Sequence, residues 1–147
     1  MWTRCSQGHT HWGRRGAAGL LVRHRGPEVS RFLLQHRAPV VHHGDTWGIP
    51  GGAIESGESA QAAAWREAQE ELDGLSPDDL TVAGIHVDDH GGWSYSTIVM
   101  DAIEMFPVSG INFETGPDGC RWMTSQEAEA ARMHPGLASS WSKVLLL

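Results

Sequence analysis

Residues 51–75 read GGAIESGESAQAAAWREAQEELDGL. The alanine-rich middle favours a helix, and it carries Glu67, Glu70 and Glu71. At about 100° per residue these carboxylates fall within an arc of roughly 100° on one side. Like charges at i,i+3 and i,i+4 weaken a helix by about a few tenths of a kcal/mol each, so folding alone gains nothing from them. Such a face suits a hard divalent cation, because Mg²⁺ takes oxygen ligands and shares its shell among carboxylates, waters and substrate phosphates. A loop carbonyl at Gly51 or Gly52 can complete the set, since glycine lets the backbone approach closely. Arg66 lies on the flank next to Glu70 and can hold a carboxylate in place. Glu58, near the helix start, is favoured there by the dipole and can anchor the loop. The bland alternative is a solvated acidic face with one stabilising arginine.

The elements that must position this face are legible around it. Ser59 is a good N-cap, the helix is expected to run to about Leu72, and Asp73-Gly74 supplies a stop. Ala64, Trp65, Ala68 and Leu72 lie roughly opposite the carboxylates, and small residues there permit close packing on a sheet. Upstream, GAAGLLVRH (16–24) and VSRFLLQHR (29–37) read as two strands of a hairpin about RGPE, followed by a loop, APVVHHGDTWGIPGG. Downstream, LTVAGIHV (80–87) and WSYSTIVMDAIEMF (93–106) read as strands joined by DDHGG, and CRWM (120–123) as a short strand. TSQEAEAARM and LASSWSKVLLL read as helices. The order of strands, helix, strands and helix predicts an α/β sandwich with a mixed sheet between helices. Residues 1–15, polar, basic and rich in His and Gly, are expected to form a flexible or irregular arm ahead of a single domain at 16–147.

A chain of 147 residues suits one domain with a real core. Its net charge of −7 argues against a grip on nucleic-acid polymers, which needs clustered Lys and Arg. A small phosphorylated ligand remains compatible, because a bound divalent metal reverses the local sign. Two cysteines, Cys5 and Cys120, do not make a disulfide framework and fit a reducing, cytoplasmic setting. The first residues lack the apolar core of a signal peptide, and AAGLLV and KVLLL are too short to cross a bilayer.

Read by spacing, Gly52, five residues, Glu58, seven residues and then Arg66-Glu67-Ala68-Gln69-Glu70-Glu71 closely resembles the Nudix box, GX5EX7REUXEEXGU with U aliphatic. WGIPGG (47–52), the hairpin ending in LLQHR, and RWM followed by a helix extend the resemblance to about two thirds of the chain, leaving out the first 15 residues. One position departs: where the box expects glycine after the paired glutamates, Asp73 stands, with Gly74 next. A one-residue slip at the helix exit is the simple reading, with Gly74 left-handed. The alternative makes Asp73 a further metal ligand.

The resemblance implies a Nudix-type α/β/α sandwich. It also implies a metal-dependent pyrophosphohydrolase that cleaves a nucleoside diphosphate linked to another moiety by water attack on phosphorus. Mg²⁺ or Mn²⁺ would be held by Gly51, Glu67, Glu70 and Glu71. Arg66, Glu70, Glu71 and Glu114 would form the catalytic set, with Glu70, Glu71 and Glu114 as the candidates to accept the proton of water. Glu114 stands in NFETGPDG, where Asp118 is the second choice. The implied partner is a small nucleoside diphosphate derivative, with no nucleic-acid polymer and no membrane; a homodimer stays open. The rival from another class is a Nudix-fold module that senses a nucleotide without hydrolysing it, against which three metal carboxylates argue.

The remaining signals are weaker. In DDHGGWSY (88–95), Trp93 and Tyr95 either cap the core at a hairpin turn or stack on a substrate base. Arg37, ending LLQHR, joins them as a candidate substrate contact. His42 and His43 are exposed loop residues or phosphate contacts, and Trp47 is expected at the core edge. Cys5, His9 and His11 make part of a zinc set without a CXXC or a second ligand pair, so a surface arm is the default. Cys120 is expected in the core rather than as a nucleophile.

Overall fold

The computed structural model describes residues 2–147. Strands β1 (Trp2–Arg4) and β2 (Thr10–Trp12) precede β3 (Ala17–Arg25), β4 (Ser30–Arg37), β5 (Trp47–Gly48) and β6 (Gly51–Ala53). Helix α1 (Ala60–Glu71) runs directly into β7 (Leu72–Asp73), followed by a 3₁₀ turn at Pro77–Asp79. Then come β8 (Leu80–Asp89), β9 (Ser94–Ala102), β10 (Ser109–Gly110), β11 (Thr115–Thr124), α2 (Ser125–Ala130) and α3 (Pro135–Val144).

The main sheet has the order β11-β4-β3-β9-β8. It is mixed: β3 and β9 run parallel from Ala17↔Tyr95 to Arg23↔Asp101, and the other pairs are antiparallel. Period-two alternation in β3 divides the core. Ala18, Leu20 and Val22 pack with Ile98 against Ala63, Ala64 and Ala68 of α1. Leu21 packs with Phe32, Leu34 and Val99 against Ala128 of α2 and Leu137, Trp141 and Val144 of α3. The result is the expected three-layer sandwich. Trp47 belongs to the second cluster.

The sheet splits where it matters for function. β4 pairs with β3 only from Arg23↔Phe32 to Arg25↔Ser30. Further along the same edge of β3, β6 takes its place, pairing Gly51 with Gly19 and Ala53 with Ala17. β5 meanwhile pairs with β4 through Gln35↔Gly48 and His36↔Trp47. The glycine-rich segment thereby lies in the sheet beside the helix it introduces.

Two expectations need correction. The lead-in read as irregular contains a hairpin with the register Trp2↔Trp12 to Arg4↔Thr10. Its turn closes because Gly8 takes φ +85°, Cys5 N–H donates to the His9 carbonyl at 2.9 Å, and Gly8 N–H donates to the Cys5 carbonyl at 3.0 Å. At the exit of α1, the helix does not end on a left-handed glycine. Leu72, 3% exposed, is drawn into the core in extended conformation, and Leu72 and Asp73 pair with Gly110 and Ser109. Gly74 follows at φ +109°, with the Pro107 carbonyl where a β-carbon would stand. Among the described residues no helix is long and apolar enough to cross a membrane.

Candidate active site

The helix is fixed from its first turn, where the Ser59 hydroxyl accepts from Ala62 N–H at 3.1 Å. Ala63, Ala64 and Ala68 are fully buried, so α1 lies close on the sheet. That closeness brings Glu67 and Glu71 against β6, while Glu70 stays exposed. Glu71 is only 3% exposed, and its Oε2 accepts from Gly51 N–H at 3.0 Å. A side chain at Gly52 would run into the Glu67 carboxylate, which gives that glycine a steric reason.

Arg66 organises the outer half of the cluster. Its Nε donates to Glu58 Oε2 at 2.7 Å and its Nη2 to Glu58 Oε1 at 3.0 Å, a bidentate pair. Nη2 also donates to the Ala53 carbonyl at 3.0 Å, and Nη1 reaches Glu67 at 3.0 Å and Glu70 at 3.2 Å. Glu58 further accepts from Glu55 N–H at 3.0 Å. The Arg66 guanidinium, with that N–H second, holds the Glu58 carboxyl down at about 2. The sequence-based role of Glu58 as loop anchor matches this geometry, with Arg66 as the clamp between loop and helix.

The inner half is built by the segment before β11. Ile111 N–H donates to the Glu71 carbonyl at 3.0 Å and Asn112 Nδ2 to the Glu70 carbonyl at 3.4 Å. These bonds satisfy carbonyls that the last turn of α1 leaves free. Asn112 Oδ1 then accepts from Glu114 N–H at 3.0 Å, and the Glu114 carbonyl accepts from Ala38 N–H at 2.8 Å. Glu114 is thereby set near enough to Glu71 for its charge to act on that carboxyl. Burial first, then Glu114 and its charge, push the Glu71 carboxyl well above the usual carboxylate range, against the lowering effect of Gly51 N–H. Burial likewise raises Glu67, with Arg66 opposing it and Glu70 and Glu114 adding to it. Arg66 is engaged with Glu55, Glu58, Glu67 and Glu70, so among the described residues Glu71 and Glu114 have no basic partner. Hard oxygen donors, partly buried and short of positive charge, fit a divalent cation such as Mg²⁺ or Mn²⁺.

The other candidates fall at different distances from this centre. Tyr95 comes to it by its hydroxyl, which lies where side chains on Gly19 and Gly51 would stand; burial, then Glu71, raises its phenol. Trp93 has one face covered by His11, the rings stacked at 3.7 Å and 4°. Arg37 turns its guanidinium to its own loop, donating from Nε and Nη2 to the His42 carbonyl at 3.2 and 2.7 Å. His43 packs on His42 and His134, with ring centroids 4.0 and 4.8 Å away. Asp118 is exposed beside Arg121, and Asp73 is exposed on β7. Burial, then Glu71, holds the Cys120 thiol at about 11, as befits a core residue. Sequence reasoning missed Asn112, which ties Glu114 to the helix end. Its signal was the Asn two residues before a glutamate, a spacing that closes an Asx turn.

A mixed-sheet α/β/α sandwich with an Arg-clamped carboxylate helix facing a glycine strand defines a hydrolase of the Nudix class. The family model for the NUDIX domain matches residues 13–143, and the chain belongs to that family. It is thus a Nudix hydrolase, a pyrophosphohydrolase of nucleotide derivatives. A relative from Mycobacterium tuberculosis named "Putative 8-oxo-dGTP diphosphatase 3" is 40% identical over 97% of this chain and 67% of its own length. A "Nucleoside triphosphate pyrophosphatase/Nudix hydrolase fusion protein" from Bifidobacterium longum is 44% identical over 66% of this chain and 20% of its own. The crystal structure of RenU, a Nudix hydrolase from M. smegmatis, superposes with a TM-score of 0.85, at 38% identity, covering 98% of this chain and 91% of that one.

Proposed function

We propose that this chain hydrolyses a nucleoside diphosphate linked to another moiety, with a nucleoside triphosphate as the first substrate to try, giving a nucleoside monophosphate and pyrophosphate. The observation that carries the reading is Glu71, buried at 3% exposure beside a half-buried Glu114, with no basic side chain among the described residues paired to either. Glu67, Glu70, Glu71 and the backbone of Gly51 are the groups that would hold Mg²⁺ or Mn²⁺. A bound divalent cation supplies charge neutralisation for the pyrophosphate and acidifies water. The chain's own residues do the rest. Arg66 keeps Glu67 and Glu70 in place and ties the helix to the loop through Glu58 and Ala53. A water attacking phosphorus gives its proton to the Glu71–Glu114 pair, of which Glu71 is the buried member. The names of the mycobacterial and bifidobacterial relatives favour a triphosphate, an oxidised guanine nucleotide among them.

The test is a panel of nucleoside triphosphates, 8-oxo-dGTP included, with ADP-ribose and dinucleoside polyphosphates, assayed with Mg²⁺ for released phosphate or pyrophosphate. Turnover of a triphosphate to monophosphate and pyrophosphate is expected. Nucleotide binding with no product from any compound would transfer the chain to the sensor reading.

A further inference from the structure

The N-terminal hairpin has little to hold it. It is two three-residue strands, its Trp2–Trp12 pair meets edge to face at 5.4 Å, and the two rings stay 65% and 54% exposed. A two-stranded hairpin of this size is marginal in water on its own. It is nevertheless seated on the turn between β8 and β9. Ser6 N–H donates to the Gly91 carbonyl at 2.8 Å, and the Ser6 hydroxyl to the His90 carbonyl at 2.9 Å.

At this contact stand Cys5, His9 and His11 from the hairpin and His90 from the turn. One potential ligand atom from each lies within 4.8 Å of all the others. Tetrahedral zinc, with Zn–S about 2.3 Å and Zn–N about 2.0 Å, sets its ligands roughly 3.3–3.6 Å apart, so side-chain rotations of about 1 Å close the set. Three further features point to an ion. His11 Nε2 and His90 Nδ1 are buried with no hydrogen-bond partner, and buried polar atoms are otherwise paired. His90 Nε2 is joined to Asp88 Oδ2 at 2.9 Å, the carboxylate–histidine arrangement that directs the other ring nitrogen at a metal. The His11 ring is fixed flat on Trp93. Neutral or anionic N and S donors select zinc over the hard cation of the carboxylate cluster.

We propose that Cys5, His9, His11 and His90 bind a structural Zn²⁺ that clips the N-terminal hairpin to the β8–β9 turn, with Asp88 orienting His90. This closed four-ligand set leaves no position for water, so it is a staple rather than a second reaction centre. It is also independent of the hydrolase site, sharing no residue with it.

The test loads the chelator-treated full chain with Co²⁺ and then with Zn²⁺. One equivalent of Co²⁺ should give the intense d–d bands of a tetrahedral site and a thiolate-to-cobalt charge-transfer band, both erased by one equivalent of Zn²⁺. Cys5→Ser should lose the charge-transfer band, and His90→Ala should lose stoichiometric zinc by elemental analysis. Asp88→Asn, which keeps all four ligands, should weaken zinc by about 10–100-fold in competition with a chromogenic chelator. Glu71→Gln should hold zinc like the unaltered chain. The proposal is overturned if the unaltered chain shows no charge-transfer band at any Co²⁺ ratio, a result that does not depend on any variant folding. Equal zinc retention in folded Cys5→Ser and His90→Ala would overturn it as well.

Discussion

Arg23 and Arg66 are both set among carboxylates, on different elements and with different charge balance. Arg23, 3% exposed on β3, donates from Nε and Nη2 to Asp101 at 2.6 and 3.1 Å, and from Nη1 to the Leu147 carbonyl at 2.7 Å. Asp101 also takes the exposed Arg25, its Nε 3.4 Å away, so here the cations outnumber the carboxylate, and every arm of the buried Arg23 guanidinium has an acceptor. Arg66 stands among Glu55, Glu58, Glu67 and Glu70, with Glu71 and Glu114 beyond its reach. A carboxylate matched by arginines completes a fold, whereas an excess of carboxylates asks for positive charge from outside. Breaking the first should cost stability and spare chemistry; neutralising the second should do the reverse.

The largest contrast is expected at Glu71 and Glu70. Glu71→Gln or Glu70→Gln should lower kcat by about 10²-fold or more, the scale of a lost acid/base or electrostatic group. Thermal unfolding of metal-free Glu71→Gln should hold or rise, because the amide is neutral without the proton that the buried Glu71 carboxyl must take up on folding. Steady-state kinetics beside calorimetric unfolding measures both halves, and unchanged kcat in both variants would return the cluster to a solvated acidic face.

Asp101→Asn should behave oppositely. It leaves the Arg23 charge buried without its anion, and a loss of about 2–3 kcal/mol is expected from the charged hydrogen bonds removed. Asp101 is about 30% exposed, which keeps the figure below that of a fully buried pair. Denaturant melts give the stability, and kcat should stay within about twofold.

Next in size is the helix exit. Gly74→Ala should cost about 1–2 kcal/mol, since alanine at φ +109° pushes its β-carbon at the Pro107 carbonyl. Asp73→Asn should leave the Mg²⁺ dependence of rate unchanged. A shifted metal dependence would make Asp73 part of the cluster after all.

The smallest effect concerns pH. A carboxyl raised above its ordinary 4.5 in the folded chain retains a proton that the unfolded chain releases. Metal-free stability from Glu71 is therefore full below about 4.5 and falls as pH rises through the folded value. Cation binding must displace that proton, so the rise in Tm on adding Mg²⁺ should be larger at about pH 8 than at about pH 6. An equal rise at both would separate Glu71 from the cation site.

The carboxylate helix was legible because its signal is local: a cap at Ser59, a run of alanines, and acids at helical spacing. Strands β3, β4, β8 and β9 were legible for the same reason, through β-branched and apolar runs, whereas ten-residue β11 showed only at CRWM because its first half, TGPDG, carries no such run and its register shifts there. What the sequence hid depends on partners far along the chain. β5, β6, β7 and β10 have two or three residues each, too few to show a period. The hairpin at Trp2–Trp12 rests on Gly8 and on a turn some 80 residues away. Tyr95 reads either as a core cap or as a stacking ring, and neither reading shows that β3 and β6 bring glycines to its hydroxyl, a fact set by register and not by composition. Asn112 looked like loop until the free carbonyls of α1 were there to receive it.

The claim beneath the comparison is that the acidic side of α1 is built for a divalent cation and not for solvent. Its most direct test is turnover of the best substrate of the panel as a function of metal. Hydrolysis should vanish with EDTA, return with excess Mg²⁺ or Mn²⁺ at about millimolar levels in the unaltered chain and in Asp101→Asn, and fail to return in Glu71→Gln. Full turnover in metal-free buffer would contradict it.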